Sequence, residues 1–269
     1  MDCIEGMKLL DDNSVQCVIT SPPYWGLRDY GDKNQLGAEP TPDEYINNLC
    51  DVFSMCKRIL KDDGVLYVNI ADSYFRNGGK SKGVNPNAKI GNTKKGIQKG
   101  NCKVPTGYLE KSLALIPQRF VVEMNKRGWI VRNAIIWHKP NAMPQPLTDR
   151  FANDYEMIFL FVKQKHYKFN LIKENLTGKE RIKRTVWSIN TRPSKSGHIA
   201  PYPKELITPC LLSGSNEGDV VLDPFIGSGT TAEVALLHNR QYIGFELSKE
   251  YCDIANEKIA EIKGAMSDG

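Results

Sequence analysis

No apolar run in these 269 residues approaches the roughly 20 that a membrane-spanning helix needs, and the first residues lack the basic-then-apolar pattern of a secretory leader. The expected location is the cytoplasm. Cysteine shows no pattern either. The seven residues (Cys3, Cys17, Cys50, Cys56, Cys102, Cys210 and Cys252) are odd in number and form no Cys-x-x-Cys pair, which argues against a disulfide framework and a zinc knuckle. They read as reduced thiols, and no metal is expected. Acid is missing from one long stretch: residues 75–109 hold eight Lys or Arg and no Asp or Glu. Residues 163–195 hold ten basic residues against Glu174 and Glu180. Each segment therefore nets +8 against +5 for the whole chain, so the remainder carries −11. Two positive segments on an acidic body are the footprint of a polyanion partner, most simply nucleic acid.

What is present is an ordinary globular mixture, 41% hydrophobic and 25% charged, in a chain long enough to bury a substantial core. Residues 15–20 read as a buried strand. It ends at Ser21-Pro22-Pro23-Tyr24, where two prolines remove backbone donors and force the chain out of a sheet. Thr41, Pro42, Asp43 and Glu44 supply an N-cap, a first-position proline and first-turn acids for a helix running to about Leu60. Lys61-Asp62-Asp63-Gly64 closes that helix, and residues 64–70 make the next strand, giving a right-handed βαβ unit and a parallel sheet. Residues 76–106, rich in Gly, Asn and Lys without periodicity, read as a long loop. A helix over 117–127, strands over 129–137 and 156–162, and a helix over 204–212 follow. Trp25 and Trp187 read as core or loop anchors rather than duplex wedges, and His138 and His198 as hydrogen-bonded loop residues.

Two stretches carry chemistry. In the first, Val220-Val221-Leu222 leads into Asp223-Pro224-Phe225-Ile226-Gly227-Ser228-Gly229-Thr230-Thr231, a strand end, a glycine turn and a helix start. Glu246 ends the next strand, 23 residues after Asp223, where a carboxylate accepts hydrogen bonds from ribose hydroxyls. A dinucleotide site would add a third glycine and hold diphosphate on the helix N-terminus, but Thr230 and Thr231 follow Gly229. An adenosine without diphosphate, such as S-adenosylmethionine, fits better than NAD. The second stretch is Ser21-Pro22-Pro23-Tyr24. Its prolines fix a hydroxyl and a carbonyl together beside an aromatic ring, a site for an amino group on a planar base.

Taken together, Ser21-Pro22-Pro23-Tyr24 and Asp223-Pro224-Phe225-Ile226-Gly227-Ser228-Gly229 resemble the two signature motifs of the amino-methylating DNA methyltransferases. The catalytic motif precedes the cofactor motif, so the chain resembles that family's permuted β group. The resemblance implies a doubly wound, seven-stranded α/β sheet with one antiparallel strand, in a single catalytic domain over 1–269. The basic loop 75–109 and a target-recognition region at 163–197 are insertions within it. It also implies catalysis by Ser21, Pro22, Pro23 and Tyr24. S-adenosylmethionine is held by Asp223, Pro224, Phe225, Gly227, Gly229, Thr230, Thr231 and Glu246, with Asp2, Ala200, Tyr202 and Pro203 as further contacts. Lys80, Lys82, Lys94, Lys95 and Lys99 of the loop, with Arg181, Lys183 and Arg184, are the expected grip on double-stranded DNA.

The resulting expectation is methylation of cytosine N4 on a base flipped out of the duplex, with adenine N6 as the alternative. Serine at position 21 favours cytosine, since the adenine enzymes that this chain resembles more often carry aspartate there. A cognate restriction endonuclease is a possible partner, and the enzyme is a monomer or homodimer. Methylation of RNA or of a protein glutamine, and a non-catalytic DNA-binding protein on the same fold, are the competing readings. Cytosine C5 chemistry is set aside, because Cys210 falls within a helix rather than at a strand end.

Overall fold

The structure, a computed structural model, describes residues 1–27, 35–76, 104–176, 178–192 and 202–267. The chain opens with a short helix, α1 (Cys3–Lys8), two of whose free first-turn amides, those of Ile4 and Glu5, donate to Asp2 Oδ1 at 2.9 and 3.1 Å. Six residues are too few to display periodicity, so this helix had no signature in the sequence. Strand β1 (Val15–Thr20) is buried along its whole length. Helix α2 (Pro42–Ile59) begins as its residues dictate, with Thr41 Oγ1 accepting from the Glu44 amide at 3.2 Å.

Strand β2 (Leu60–Ile70) follows without a break. Residues 61–64 therefore do not form the helix-ending turn that their composition suggests; Leu60 is already extended (φ −70°, ψ 134°) and pairs with Val15. Tertiary pairing outweighs local preference there. The chain continues through α3 (Ile116–Lys126), β3 (Ile130–His138) and β4 (Tyr155–Val162). The second basic segment forms a hairpin, β5 (Lys173–Leu176) and β6 (Lys179–Ile182), and a short strand β7 (Val186–Ser188). Last come α4 (Lys204–Gly214), β8 (Val220–Asp223), α5 (Thr230–Leu237), β9 (Gln241–Gly244) and α6 (Lys249–Ser267).

Seven strands make one sheet in the order β7-β3-β4-β2-β1-β8-β9. β4 runs antiparallel to both of its neighbours and every other pairing is parallel, which is the expected seven-stranded sheet with one antiparallel strand. Successive strand residues bury on opposite faces. Val18, Leu66, Val68 and Ile70 join a core with α1, α2 and α3, in which Phe53, Phe120 and Phe161 interlock. Cys17, Ile19, Val65 and Tyr67 join a second core under α4 and α5. Apolar residues therefore occupy both faces, which explains why the strands read as continuous runs rather than alternations. Trp25 and Trp187 are buried in the two cores, so of the core and loop roles expected for them the core one applies.

Strand β9 stops at Gly244, so Glu246 lies two residues beyond the strand that it was expected to end. A Cβ at Gly244 would lie 2.1 Å from Ile226 Cδ1, so the glycine turn presses directly on the strand end and diverts the chain.

Candidate active site

β1 and β8 lie side by side and parallel, yet the chain leaves them in opposite directions, toward β2 on one side and β9 on the other. Connections diverge at such a point, and the crevice beyond the strand ends is where open α/β sheets hold ligands. A cavity of about 620 Å³ occupies it, bounded on one side by the glycine turn after β8 and on the other by the proline turn after β1.

On the glycine side, Gly227 (φ +51°) and Gly229 (φ +82°) occupy the left-handed region, where a side chain is strained. A Cβ at Gly229 would approach Ala255 of α6 to 3.0 Å, whereas at Gly227 the nearest atom is a carbonyl at 4.0 Å. Gly229 thus lets the turn seat on α6, and Gly227 leaves room at the cavity wall. The Glu246 carboxylate closes the rim, accepting from the Gly227 amide (3.1 Å) and the Ser248 amide (2.8 Å). Pro224, Phe225, Thr230 and Tyr202 also face the cavity, as does Asp2, although its Oδ1 is committed to capping α1.

Asp223 does not line the cavity. It is 1% exposed, with Oδ1 accepting from Thr20 Oγ1 (2.6 Å) and the Phe225 amide (3.0 Å). Its Oδ2 accepts from Thr231 Oγ1 (2.6 Å) and Tyr202 Oη (2.9 Å). Burial pushes the carboxyl above the ordinary range, against the pull of these four bonds. Asp223 is therefore a strut tying the two turns together. Gly229, Thr231 and Pro203 likewise stand behind the wall, and Ala200 lies outside the described residues.

On the proline side, Pro22 is buried and the Pro23 carbonyl accepts from Tyr45 Oη of α2 at 2.8 Å. Gly37 (φ +92°) packs so closely that a Cβ there would lie 2.9 Å from the Tyr24 carbonyl oxygen. Held in this way, Ser21 and Tyr24 meet residues that sequence reasoning missed. Tyr24 Oη donates to Glu156 Oε2 at 2.6 Å, and Ser21 Oγ donates to Tyr24 Oη at 3.2 Å. Asn69 Nδ2 donates to Glu156 Oε2 (2.7 Å) and Tyr24 Oη (2.9 Å), with Ser21 Oγ at 3.4 Å. Lys139 pairs with the other carboxylate oxygen while lying over the Trp137 ring, 4.4 Å from its centroid. Burial, then the neighbouring Glu156 charge, pushes the Tyr24 phenol well above its usual value. One signal in the sequence pointed here: Asn69 interrupts the apolar run 65–70, and Glu156 stands just before the apolar run 157–162.

The family model described as DNA methylase, covering N6 and N4 enzymes, matches residues 15–257. The chain belongs to this N6/N4 DNA methylase family. The Type II methyltransferase M.Cfr9I of Citrobacter freundii is 40% identical over 272 residues, covering 96% of this chain and 85% of that protein. M.SmaI of Serratia marcescens is 41% identical over 268 residues, with 96% and 88% covered. Among solved structures, PvuII DNA methyltransferase, described as cytosine-N4-specific, superposes with a TM-score of 0.69 at 20% identity, covering 100% of this chain and 91% of that one. Thermus thermophilus TTHA0409 complexed with S-adenosyl-L-methionine gives 0.64 at 24%, covering 97% and 93%. These two likenesses are of fold.

A DNA methylase of this family acts on DNA and takes its methyl group from S-adenosylmethionine. The residues present fit that donor. Phe225, Phe245 and Tyr251 offer apolar wall to a planar base, Glu246 offers acceptors at the rim, and the missing side chain of Gly227 leaves space between them. The methylase's expected DNA grip is placed less simply. Lys80, Lys82, Lys94, Lys95 and Lys99 lie outside the described residues, as does His198. Arg181 and Lys183 both pair with Glu174, and Lys183 lies over the Trp187 ring, while Arg184 is exposed. Their hairpin is entered from the far end of the sheet, where the Lys168 amide donates to the Asp63 carbonyl and the Asn170 side chain to the carbonyls of Leu212 and Ser215. His138 pairs with Ser188 and Asp154 at the end of β3, not within the cavity. Cys210 is buried in α4, away from the cavity, and burial pushes its thiol up, the opposite of what a nucleophile needs. No cluster of metal-ligating side chains occurs among the described residues, and no described helix is long and apolar enough to cross a membrane.

Proposed function

We propose that this DNA methyltransferase methylates the exocyclic N4 of cytosine at a specific sequence in duplex DNA, on a base extruded from the stack. The observation that carries this reading is the placement of Ser21 on the wall of one cavity that it shares with Gly227 and Glu246. Bound S-adenosylmethionine supplies an electrophilic methyl group. The chain's task is to present a nitrogen whose lone pair is otherwise delocalised into the ring. Ser21 Oγ and the Pro22 carbonyl accept the two amine protons, which localises that lone pair. Tyr24 stacks on the extruded base and offsets an unstacking cost of a few kcal/mol. Orientation supplies much of the remaining acceleration. Serine rather than aspartate at position 21 favours cytosine over adenine.

On this reading the chain is a β-group enzyme, a monomer or homodimer with one catalytic domain. Segments 75–109 and 163–197 are its DNA-contacting insertions, and the site residues that line the cavity act as the two motifs imply, with Asp223 as the strut behind them. The Type II designation of its relatives supports a cognate restriction endonuclease working beside it in the cytoplasm. Incubation with duplex DNA and isotopically labelled donor, followed by nucleoside identification, tests the base: N4-methylcytosine is expected, and N6-methyladenine alone overturns the choice.

A further inference from the structure

We propose that Ser21, Tyr24 and Glu156 form a directed proton relay that takes up the proton the acceptor amine loses on methylation. The proposal rests on the reading of Ser21 to Tyr24 as the acceptor site. It goes beyond that reading by assigning a proton route and its terminus, on a strand that neither motif includes.

The direction of the relay follows from donor inventory. A serine or tyrosine hydroxyl has one proton to give, and an ionised carboxylate has none. Tyr24 Oη gives its proton to Glu156 Oε2 at 2.6 Å, and Ser21 Oγ gives its own to Tyr24 Oη at 3.2 Å. Asn69 Nδ2 reaches all three oxygens as a donor only, so neither hydroxyl can hand its proton back to it. Ser21 Oγ, which already accepts from Asn69, is left with one lone pair to accept from an amine in the cavity. Lys139 fixes the second carboxylate oxygen, so Glu156 cannot turn away. Asn69 Oδ1, on a side chain 5% exposed at the cavity wall, has no partner among the described residues.

Atoms and charge balance along this route. The donor's sulfur–methyl bond breaks with its electron pair left on sulfur, and the amine lone pair forms the new nitrogen–carbon bond. One nitrogen–hydrogen bond breaks and its proton passes to Ser21 Oγ. The Ser21 proton passes to Tyr24 Oη and the Tyr24 proton to Glu156, which becomes a neutral carboxylic acid. One positive charge therefore moves from the donor to Glu156, and the acid later releases its proton to solvent. During transfer the Glu156 charge also stabilises the positive charge developing on nitrogen, relayed by hydroxyls that need not move. Glu156 does not touch the base; it acts through Tyr24 and Ser21.

The test compares Glu156→Gln, Tyr24→Phe and the double variant in single-turnover methylation, with duplex binding and base extrusion measured separately. Extrusion is read without donor from a fluorescent cytosine analogue at the target position. Removing a positioned proton acceptor lowers rates by about a hundredfold or more, so each single variant should lose at least that in turnover. Duplex affinity and the extrusion signal should stay within about threefold of wild type, because the stacking ring and the phosphate contacts are untouched. The double variant should be no slower than the worse single, since a relay cut twice is still one relay. Turnover of Glu156→Gln within about threefold of wild type, multiplicative losses in the double variant, or extrusion lost in step with rate would each overturn the relay. Should Glu156→Gln fail to fold, Tyr24→Phe decides alone by the same rate and extrusion criteria. Ser21→Ala separates the two levels: if it is inactive while both relay variants turn over normally, the acceptor site stands and the relay falls.

Discussion

Thr20 and Asp223, 203 residues apart in the chain, are joined side chain to side chain at 2.6 Å across the adjacent strands β1 and β8. Each stands at a turn that walls the cavity: Thr20 precedes Ser21, and Asp223 opens the glycine turn. Thr20→Val keeps the shape and removes the donor. Leaving a buried acceptor short of a bond costs about 1–3 kcal/mol, which chemical denaturation should register. Cofactor affinity and methylation rate should fall together, because both turns lose the same tie. A variant that loses one without the other would show that the strut does not couple them.

The same carboxylate gives a pH dependence. Burial raises the Asp223 carboxyl in the folded state, so the folded chain holds that proton more tightly than the unfolded chain. The sign follows by linkage: the proton's contribution to stability is present below the unfolded value and is lost as pH rises through the raised folded one. Asp223→Asn removes the titration. Stability measured upward from about pH 4, where an unfolded aspartate titrates, should therefore fall less steeply in the variant than in the wild type. Parallel curves would contradict the assignment.

Gly227→Asp should weaken S-adenosylmethionine binding by about tenfold or more, measured by calorimetry, which corresponds to roughly 1.4 kcal/mol. The φ of +51° penalises any side chain, and the new carboxylate would enter open space beside Glu246, which accepts a hydrogen bond from this residue's own amide. Unchanged affinity would sink the cofactor assignment of the whole turn.

Arg184 and Lys183, though adjacent, should behave differently. Arg184 is exposed, whereas Lys183 is half-buried between Glu174 and the Trp187 ring. Arg184→Ala should reduce the salt dependence of DNA binding by close to the amount for one phosphate contact, about 0.9 in the logarithmic slope. Lys183→Ala should lower thermal stability instead and leave that slope unchanged. The reverse pattern would place the DNA on the other side of the hairpin.

Cys210→Ala should retain methylation within about twofold while losing roughly 1 kcal/mol of stability, since a small buried group is removed from the core under α4. Loss of activity without loss of folding would reopen a thiol mechanism.

Much of the frame was legible because its signals are local. The Thr41 cap, the proline at the first helical position and the apolar runs of β1, β2 and β8 specify their elements within a few residues. The two motifs located both walls of the cavity for the same reason. What could not be read depends on pairings made across the sheet. Asn69 lies opposite Ile158, and Glu156, two residues before Ile158, shares its face, so amide and carboxylate meet only once β2 and β4 are in register. Asp223 shows the complementary limit. Its identity marks a motif, but which way its side chain turns is decided by Thr20, Thr231 and Tyr202.

The reversed strand β4 has a further consequence. Parallel strands deliver their last residues to the cleft, whereas an antiparallel strand delivers its first, so Glu156 reaches the site from the beginning of β4. The pairing of His138 with Tyr155 pins both ends of the 139–154 loop at the sheet. Loop length costs little once its ends are fixed, so this segment can be rewritten, lengthened or exchanged while Lys139 and Glu156 hold their places.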